Sequence, residues 1–476
     1  MPPEIVGPDG LVSGEDVVFS NFRYDPACYY FFYIGEQKAY GLNHFLAETL
    51  QRRHPERQVR FVAIIPDLCV QYYERNIMVI NPEADGPAAA RTGGTVGRAR
   101  IASFMAAVSS SPTLRRLIDR ILAGQDELYL SLFESVAEMT LDEIPGVSLL
   151  GPDKKVARHW NSKLVQFAEL CGIVQLVDGE ICHGRQELLA RTAALRARWQ
   201  DGIFVSAAYS AAGANSAVTA SQQEVAGRFP AEEGDYLISR YIPHELDPTV
   251  LAVVANAEDV YIAGIADQHI VDGNRFVGSS FPSKVTASQG EELRRQTIAA
   301  GRALGRAGYR GIFGCDYLID HQGKVWFLEI NARKQGTTFE FCCTLENSLP
   351  PGSPSLLELE YHAVRHGIFP PGAMDMGEGG GRLHWRTYNH KLTTMAETTA
   401  YIPQNTRERE SFARVAAGEL AMDYVVVEHL GAPLTVRPGT FLARVIAAAE
   451  SHDKVTLGLF QGMAQIRQTY KEVCCP

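Results

Sequence analysis

Asp316 and Glu329 stand on two apolar runs separated by a polar turn, within the stretch Gly311-Ile312-Phe313-Gly314-Cys315-Asp316 through Leu328-Glu329-Ile330-Asn331-Ala332-Arg333. Two such runs around a turn containing Gly323 predict a β-hairpin. A turn centred between Gln322 and Gly323 sets Asp316 opposite Glu329, Leu318 opposite Phe327 and Gly314 opposite Asn331. Side chains alternate along a strand, so Glu329, Asn331 and Arg333 share a face, and Asp316 joins them from across the ladder. Directly opposed carboxylates repel, and something positive must lie between them. Asp, Glu and an Asn carbonyl are hard oxygen donors, and Mg²⁺ is held by one or two carboxylates with substrate phosphates and water completing its shell. The chemistry implied is an ATP site with one or two Mg²⁺. The plainer alternative is that Arg333 or a distant arginine neutralises the pair for structural reasons alone.

The elements that must position this hairpin lie on both sides of it. Residues 1 to 150 alternate strand-like and helix-like runs: Tyr29 to Ile34, Tyr40 to Arg53, then Val59 to Pro66, a βαβ pattern of a layered α/β domain. Turn formers cluster at Gly151-Pro152-Asp153 and again at Pro350-Pro351-Gly352-Ser353-Pro354. These mark three parts: an α/β domain at 1–150, a central domain at 151–349, and a β-rich domain at 350–476. The last carries strand-like runs at Leu383 to Tyr388, Met422 to Glu428 and Phe441 to Ile446. Asn81 to Arg98 reads as a loop; its Gly93-Gly94-Thr95-Val96-Gly97-Arg98 lacks the G-K-[ST] ending of a phosphate loop. Gly377 to Gly381 reads as a hinge or mobile loop.

Upstream, Asn161 is suited to cap a helix whose face is Trp160, Leu164, Phe167 and Cys171, with Gly172 as its stop. Lys163 then projects from the first turn. Only ten of the 45 cationic residues are lysine, so a lysine here carries more weight than in a lysine-rich chain; a solvated surface lysine is the bland alternative.

A net charge of -10 over 476 residues lacks the footprint of a nucleic-acid or anionic-membrane binder. The first residues have no basic and apolar leader, and no stretch reaches eighteen apolar residues. The expectation is a cytoplasmic protein. Nine cysteines without a C-x-x-C pair offer neither a disulfide framework nor a zinc site.

Gly314-x-Asp316-Tyr317 and Leu328-Glu329-Ile330-Asn331-Ala332-Arg333-Lys334-Gln335-Gly336 resemble the signature of the ATP-grasp superfamily in type and spacing. The resemblance implies a three-part α/β (α+β) fold with a mobile lid at about 162–238, and an ATP-dependent, ADP-forming carboxylate-amine ligase. It makes Asp316, Glu329 and Asn331 the metal ligands, for Mg²⁺ with Mn²⁺ as a substitute. Arg333 becomes the arginine at the transferring phosphoryl group or acyl phosphate, and Lys163 the early lid lysine on the ATP phosphates. Ala211-Ala212-Gly213-Ala214-Asn215-Ser216 stands where the family has its glycine-rich phosphate loop, which gives Gly213, Ala214, Asn215 and Ser216 as cofactor contacts. The family's second lid lysine has no counterpart in Phe204 to Tyr209. Ser239, Arg240, Tyr241 and Ile242 resemble the adenine hinge, and Asp247 the ribose carboxylate, with Glu245 competing. Asp267-Gln268-His269 and Gly278 to Ser283 face the acceptor in relatives; His269 reads as a satisfied sheet histidine.

The domain order looks most like peptide and amino-acid ligases of bacterial natural-product (antibiotic) pathways, of the pheganomycin peptide-ligase kind. That likeness implies a small carboxylic acid and an amine as partners, with homodimerisation allowed. The rivals are a biotin-carboxylase-like activator of bicarbonate and a nucleotide-binding protein that has lost catalysis.

Overall fold

A computed structural model describes residues 4–68, 75–83, 95–96, 100–209, 216–219, 221–231, 233–271, 275–376, 383–399, 407–430 and 433–473. The expected loops at 84–94 and 377–381 lie outside them. Thr95–Val96 do not belong to a loop: they form a short strand parallel to Leu434–Val436.

The first part is a six-stranded sheet in the order Phe19–Ser20, Ile77–Val79, Val59–Ile65, Tyr29–Ile34, Leu128–Leu132, Val147–Leu150. All but its first strand run parallel. Every residue of Tyr29–Ile34 is buried, as a strand covered on both faces requires. Tyr29, Phe31 and Tyr33 pack toward Phe45 and Phe339, while Tyr30, Phe32 and Ile34 pack toward Phe104 and Leu117. The chain leaves Tyr29–Ile34 to one side for Val59–Ile65 and returns on its other side as Leu128–Leu132. Their carboxyl ends therefore flank a topological switch point, where open α/β sheets take ligands.

A four-stranded lid sheet follows, ordered Ser216–Thr219, Ile203–Ala207, Asp235–Arg240, Gly179–His183. It closes its own small core of Leu188, Trp199, Val205 and Ile238.

The central sheet has nine strands, all antiparallel, with Gly311–Asp320 and Pro248–Val254 adjacent near one edge and Val325–Asn331 on Gly311–Asp320. One face packs on helix Ala287–Arg306, whose Thr286 and Gln289 form a capping box. The other face packs on helices Thr338–Ser348 and Leu356–His366 and through them on the first sheet. The runs expected in the closing part are strands His384–Lys391, Met422–Glu428 and Phe441–Ala449. They extend the central sheet, joined at Ser280↔Arg386 and Phe281↔Trp385. A Cβ at Gly278 would lie 1.9 Å from the Thr387 carbonyl oxygen, so only glycine lets the two strands approach there. No described helix is long and apolar enough to cross a membrane.

Candidate functional site

The hairpin forms with one irregularity that matters. Asp316 pairs with Glu329 and Gly314 with Asn331, as expected, but Leu318 pairs with Trp326, not Phe327. The turn closes one residue earlier than expected: the Asp320 amide donates to the Lys324 carbonyl at 3.1 Å, and Gly323 takes a φ of 79°. Leu328 is then an extra residue, a β-bulge that restores the register at Glu329. Leu328 stays 44% exposed in the cleft, and both carboxylates end up facing the same space.

Asp316 is ringed by donors. Thr249 Oγ1 donates to its Oδ1 at 2.7 Å, Asn331 Nδ2 to its Oδ2 at 2.8 Å, and Gln335 Nε2 to its Oδ1 at 3.2 Å. Burial and then the Glu329 charge push its carboxyl up to about 6, against the pull of Thr249 and Asn331. The glycine of the motif has its reason here: a Cβ on Gly314 would lie 2.0 Å from the Gln335 amide carbon.

Glu329 is met by Lys163, whose Nζ lies 2.5 Å from its Oε2. The positive group beside the pair is therefore this lysine. Two amide side chains explain why Lys163 arrives there. Asn161 Oδ1 accepts from the Ala332 amide at 3.0 Å, and Gln166 both accepts from the Ile330 amide at 2.7 Å and donates to its carbonyl at 2.8 Å. They bind the outer edge of the hairpin on either side of Asn331, at Ile330 and Ala332, with Lys163 between them in the chain. This corrects the reading of Asn161 as a helix cap: Lys154–Trp160 and Lys163–Glu169 are separate helices, and the second begins after Ser162 without a side-chain cap. Cys171 is exposed while Leu170 is buried, so the apolar face differs from the expected one as well.

Arg333 acts on Asp316 through its charge alone, with no direct bond to either carboxylate among the described contacts. Its Nη2 donates to Asn331 Oδ1 at 2.8 Å, its Nη1 to the Lys334 carbonyl at 3.1 Å, and its Nε lies 3.7 Å from Glu134. Glu134 follows the strand Leu128–Leu132, at the switch point of the first sheet. Lys334, buried, donates to the Leu132 carbonyl at 2.9 Å and pairs with buried Glu360 at 2.8 Å. Glu134 and the Lys334–Glu360 pair are contacts the sequence reasoning missed; they join segments far apart in the chain, and no local spacing announces them.

At the other end of the cleft, Ser239, Arg240, Tyr241 and Ile242 all line the wall. The Arg240 amide is used on Asp178 and the Tyr241 amide on Gly202, so of these three amides that of Ile242 is left without a partner among the described residues. Asp247 lines the cleft, with His244 Nε2 2.9 Å from its Oδ1 and His244 Nδ1 2.8 Å from the Ile242 carbonyl. Both ring nitrogens face acceptors, and the Asp247 hydrogen bond above all raises the histidine pKa. Glu245 instead turns to exposed His321 at 3.0 Å; the geometry favours Asp247 over it. Phe167, Val177, Leu318 and Phe327 add apolar wall. Of the phosphate-loop residues, Ser216 lines the cleft at the start of its strand, while Gly213, Ala214 and Asn215 lie outside the described residues. His269 is not the satisfied sheet histidine expected: its buried Nε2 meets no partner among the described residues.

The cleft so built has a volume of about 290 Å³. Its donor set fits a hard divalent cation: two facing carboxylates and an amide oxygen, all oxygen donors with room for phosphate oxygens beside them. Among the described residues no group of three or more His, Cys, Asp or Glu gathers anywhere, and this cleft holds two carboxylates with an amide.

Residues 196–337 match the family of ATP-grasp domains. A curated relative, [Butirosin acyl-carrier protein]--L-glutamate ligase of Niallia circulans, is 28% identical over 106 residues, 22% of this chain. The match spans 25% of that relative's length. Among solved structures, carboxyaminoimidazole ribonucleotide synthase of Aspergillus clavatus complexed with ATP aligns at TM-score 0.57 and 11% identity, covering 94% of this chain and 100% of that one. A biotin carboxylase–ATP complex of Campylobacter jejuni aligns at TM-score 0.61 and 13% identity, over 91% of this chain and 90% of that one. The chain thus carries an ATP-grasp domain, set in a mixed α/β molecule with the fold of ATP-grasp enzymes.

Proposed function

We propose that this protein is an ATP-dependent carboxylate-amine ligase, an amino-acid or peptide ligase of natural-product biosynthesis. The observation that carries the reading is the convergence of Asp316, Glu329 and Asn331 with Lys163 and Arg333 at one end of a cleft whose other end is an apolar hinge. A ligase that uses L-glutamate among its similar proteins supports it.

In this reading adenine lies on the hinge against the Ile242 amide, and Asp247 takes the ribose hydroxyls. A substrate carboxylate oxygen attacks the γ-phosphorus of ATP, the bond to the β-phosphate oxygen breaks, and ADP leaves. An amine then attacks the acyl carbon of the resulting acyl phosphate, and inorganic phosphate departs with the bonding electrons. Lys163 and Arg333 hold the phosphoryl charge, fixed before the reaction by Glu329, Asn331 and Glu134. Asp316, Glu329 and Asn331 would hold Mg²⁺, which supplies charge neutralisation at the phosphates. The lid excludes water from a hydrolysis-prone intermediate. We take 1–150, 151–349 and 350–476 as the three working parts, the first and third closing the substrate end.

The test is Mg-ATP-dependent phosphate release across single and paired acids and amines, with bicarbonate as a separate arm and mass spectrometry of the products. ADP with a condensed amide supports the ligase; bicarbonate-dependent release without an amine supports the biotin-carboxylase-like alternative.

A further inference from the structure

The cleft continues past the metal-binding oxygens into a polar end that the ATP site does not use. On one side is Ser279, 1% exposed, whose Oγ has no partner among the described residues; on the other is Thr337, 3% exposed, whose Oγ1 likewise has none. Both line the same cleft, together with Gln268, Gln335 and Gly336. A buried hydroxyl without a partner is uncommon in a folded protein and calls for an explanation. Three of them line this cavity, Ser206 on the strand Ile203–Ala207 being the third, and the two outside the lid sheet point to a ligand there.

Thr337 makes the case sharper. It occupies the N-cap position of the eleven-residue helix Thr338–Ser348, where a threonine hydroxyl ordinarily accepts from the first-turn amides, yet its side chain makes no capping bond. The hydroxyl is left for the cleft at the positive end of the helix, where the Thr338 amide already donates to the Gln335 carbonyl at 3.1 Å. The one acid in the first turn, Glu340, is fully buried and paired with Arg444 at 2.6 Å. The same Arg444 nitrogen donates to the Gly336 carbonyl at 2.6 Å, so a residue of Phe441–Ala449 fixes the turn that presents Thr337. Ser279 is fixed too: its amide donates to Thr387 Oγ1 at 3.0 Å, and it stands beside Gln268 in the ladder. Ile270 and Phe276, half-exposed at the far end of the same two strands, supply an apolar edge.

We infer that Thr337 and Ser279 form the acid-binding subsite, and that it takes a carboxylic acid bearing a second hydrogen-bonding group near its carboxylate, an α-amino or α-hydroxy acid. The helix N-terminus and Arg333 receive the carboxylate. The two hydroxyls and Gln268 receive the neighbouring amino or hydroxyl group, and the remainder of the molecule lies along Ile270 and Phe276. This rests on the ligase reading above.

Hydroxylamine traps an acyl phosphate as a hydroxamate without any amine substrate, so it reads acid activation alone. The full chain with Mg-ATP and hydroxylamine is compared on L-serine, L-alanine, L-glutamate and glycolate against propionate and butyrate. The wild type should form hydroxamate from members of the first group in preference to the second. Thr337→Val and Ser279→Ala should each raise the KM for the acid by about tenfold, the order expected when one neutral hydrogen bond is lost, without a matching rise in the KM for ATP. Thr337→Ser, which keeps the hydroxyl, should retain the wild-type value. Equal activation of propionate and butyrate, or acid KM values unmoved in both Thr337→Val and Ser279→Ala, would overturn the subsite while leaving the ligase intact. Wild-type protein that forms no hydroxamate from any of these acids would instead count against the ligase reading, and the subsite with it.

Discussion

At the scale of single residues, the site is a set of charges held in place by neutral amides. Glu329→Gln should abolish phosphate release while the unfolding temperature stays near that of the wild type, because the fold around it is carried by Asn161 and Gln166 on the backbone. Turnover at the wild-type rate would remove Glu329 from the metal site. Lys163→Ala should raise the ATP concentration needed for half-maximal turnover, and Arg333→Ala should lower kcat by about 10²–10³-fold, the cost of deleting one preorganised donor to developing charge; both are read from initial rates. Asp316, Glu329, Asn331 and their mutual facing were legible because residue type and strand period together allow few other arrangements. Gln335, which with Thr249 completes the ring around Asp316, stood inside a motif already noticed, yet nothing in the spacing says that one hydroxyl and one amide converge on the same oxygen. Asn161 shows the opposite failure: a residue type that favours helix caps was spent on a distant backbone amide instead.

At the scale of elements, the hairpin register depends on two offsets that cancel. The turn closes one residue early, and Leu328 adds one residue back. A bulge of this kind leaves no mark in an alternating apolar pattern, which is why Asp316↔Glu329 was readable and Leu318↔Trp326 was not. Deleting Leu328 removes the extra residue and leaves Glu329 directly after Phe327, still opposite Asp316, so ATP turnover should survive with the circular dichroism spectrum retained; loss of turnover in that variant would show that the bulge itself shapes the site. The hinge carries a pH dependence of defined sign. The pKa of His244 is raised, mainly by its bond to Asp247, so its contribution to stability is complete below the ordinary histidine value near 6.5 and is lost as pH rises through the raised one. The melting-temperature gap between wild type and His244→Gln should therefore be larger at pH 6 than at pH 9. A gap that widens with pH would contradict the pairing.

At the scale of the molecule, the substrate end is assembled from segments that the sequence separates by hundreds of residues. Buried Lys334 ties the hairpin to the end of Leu128–Leu132 and to Glu360, and buried Arg444 ties the closing strands to the turn after Gln335. Removing one partner of a buried pair leaves the other uncompensated, so Lys334→Met should cost about 3–5 kcal/mol in urea unfolding, and the double variant Lys334→Met/Glu360→Leu should recover much of that. No recovery would mean that the bond to the Leu132 carbonyl, rather than the ion pair, carries the stability. Alternation of strand and helix in the first part and strand-like runs in the last were readable from period alone. That the closing strands continue the central sheet, through a glycine contact at 278, was not, because sheet membership is decided by partners and not by the strand's own residues.

The central claim is that a carboxylate is activated as an acyl phosphate in this cleft. Its most direct test uses the acid and amine found by the product screen, with the acid labelled by ¹⁸O in its carboxylate, and mass spectrometry of the phosphate released. One ¹⁸O atom should appear in each phosphate formed, since the oxygen that attacks the γ-phosphorus leaves with it. Phosphate free of label alongside amide product would contradict it.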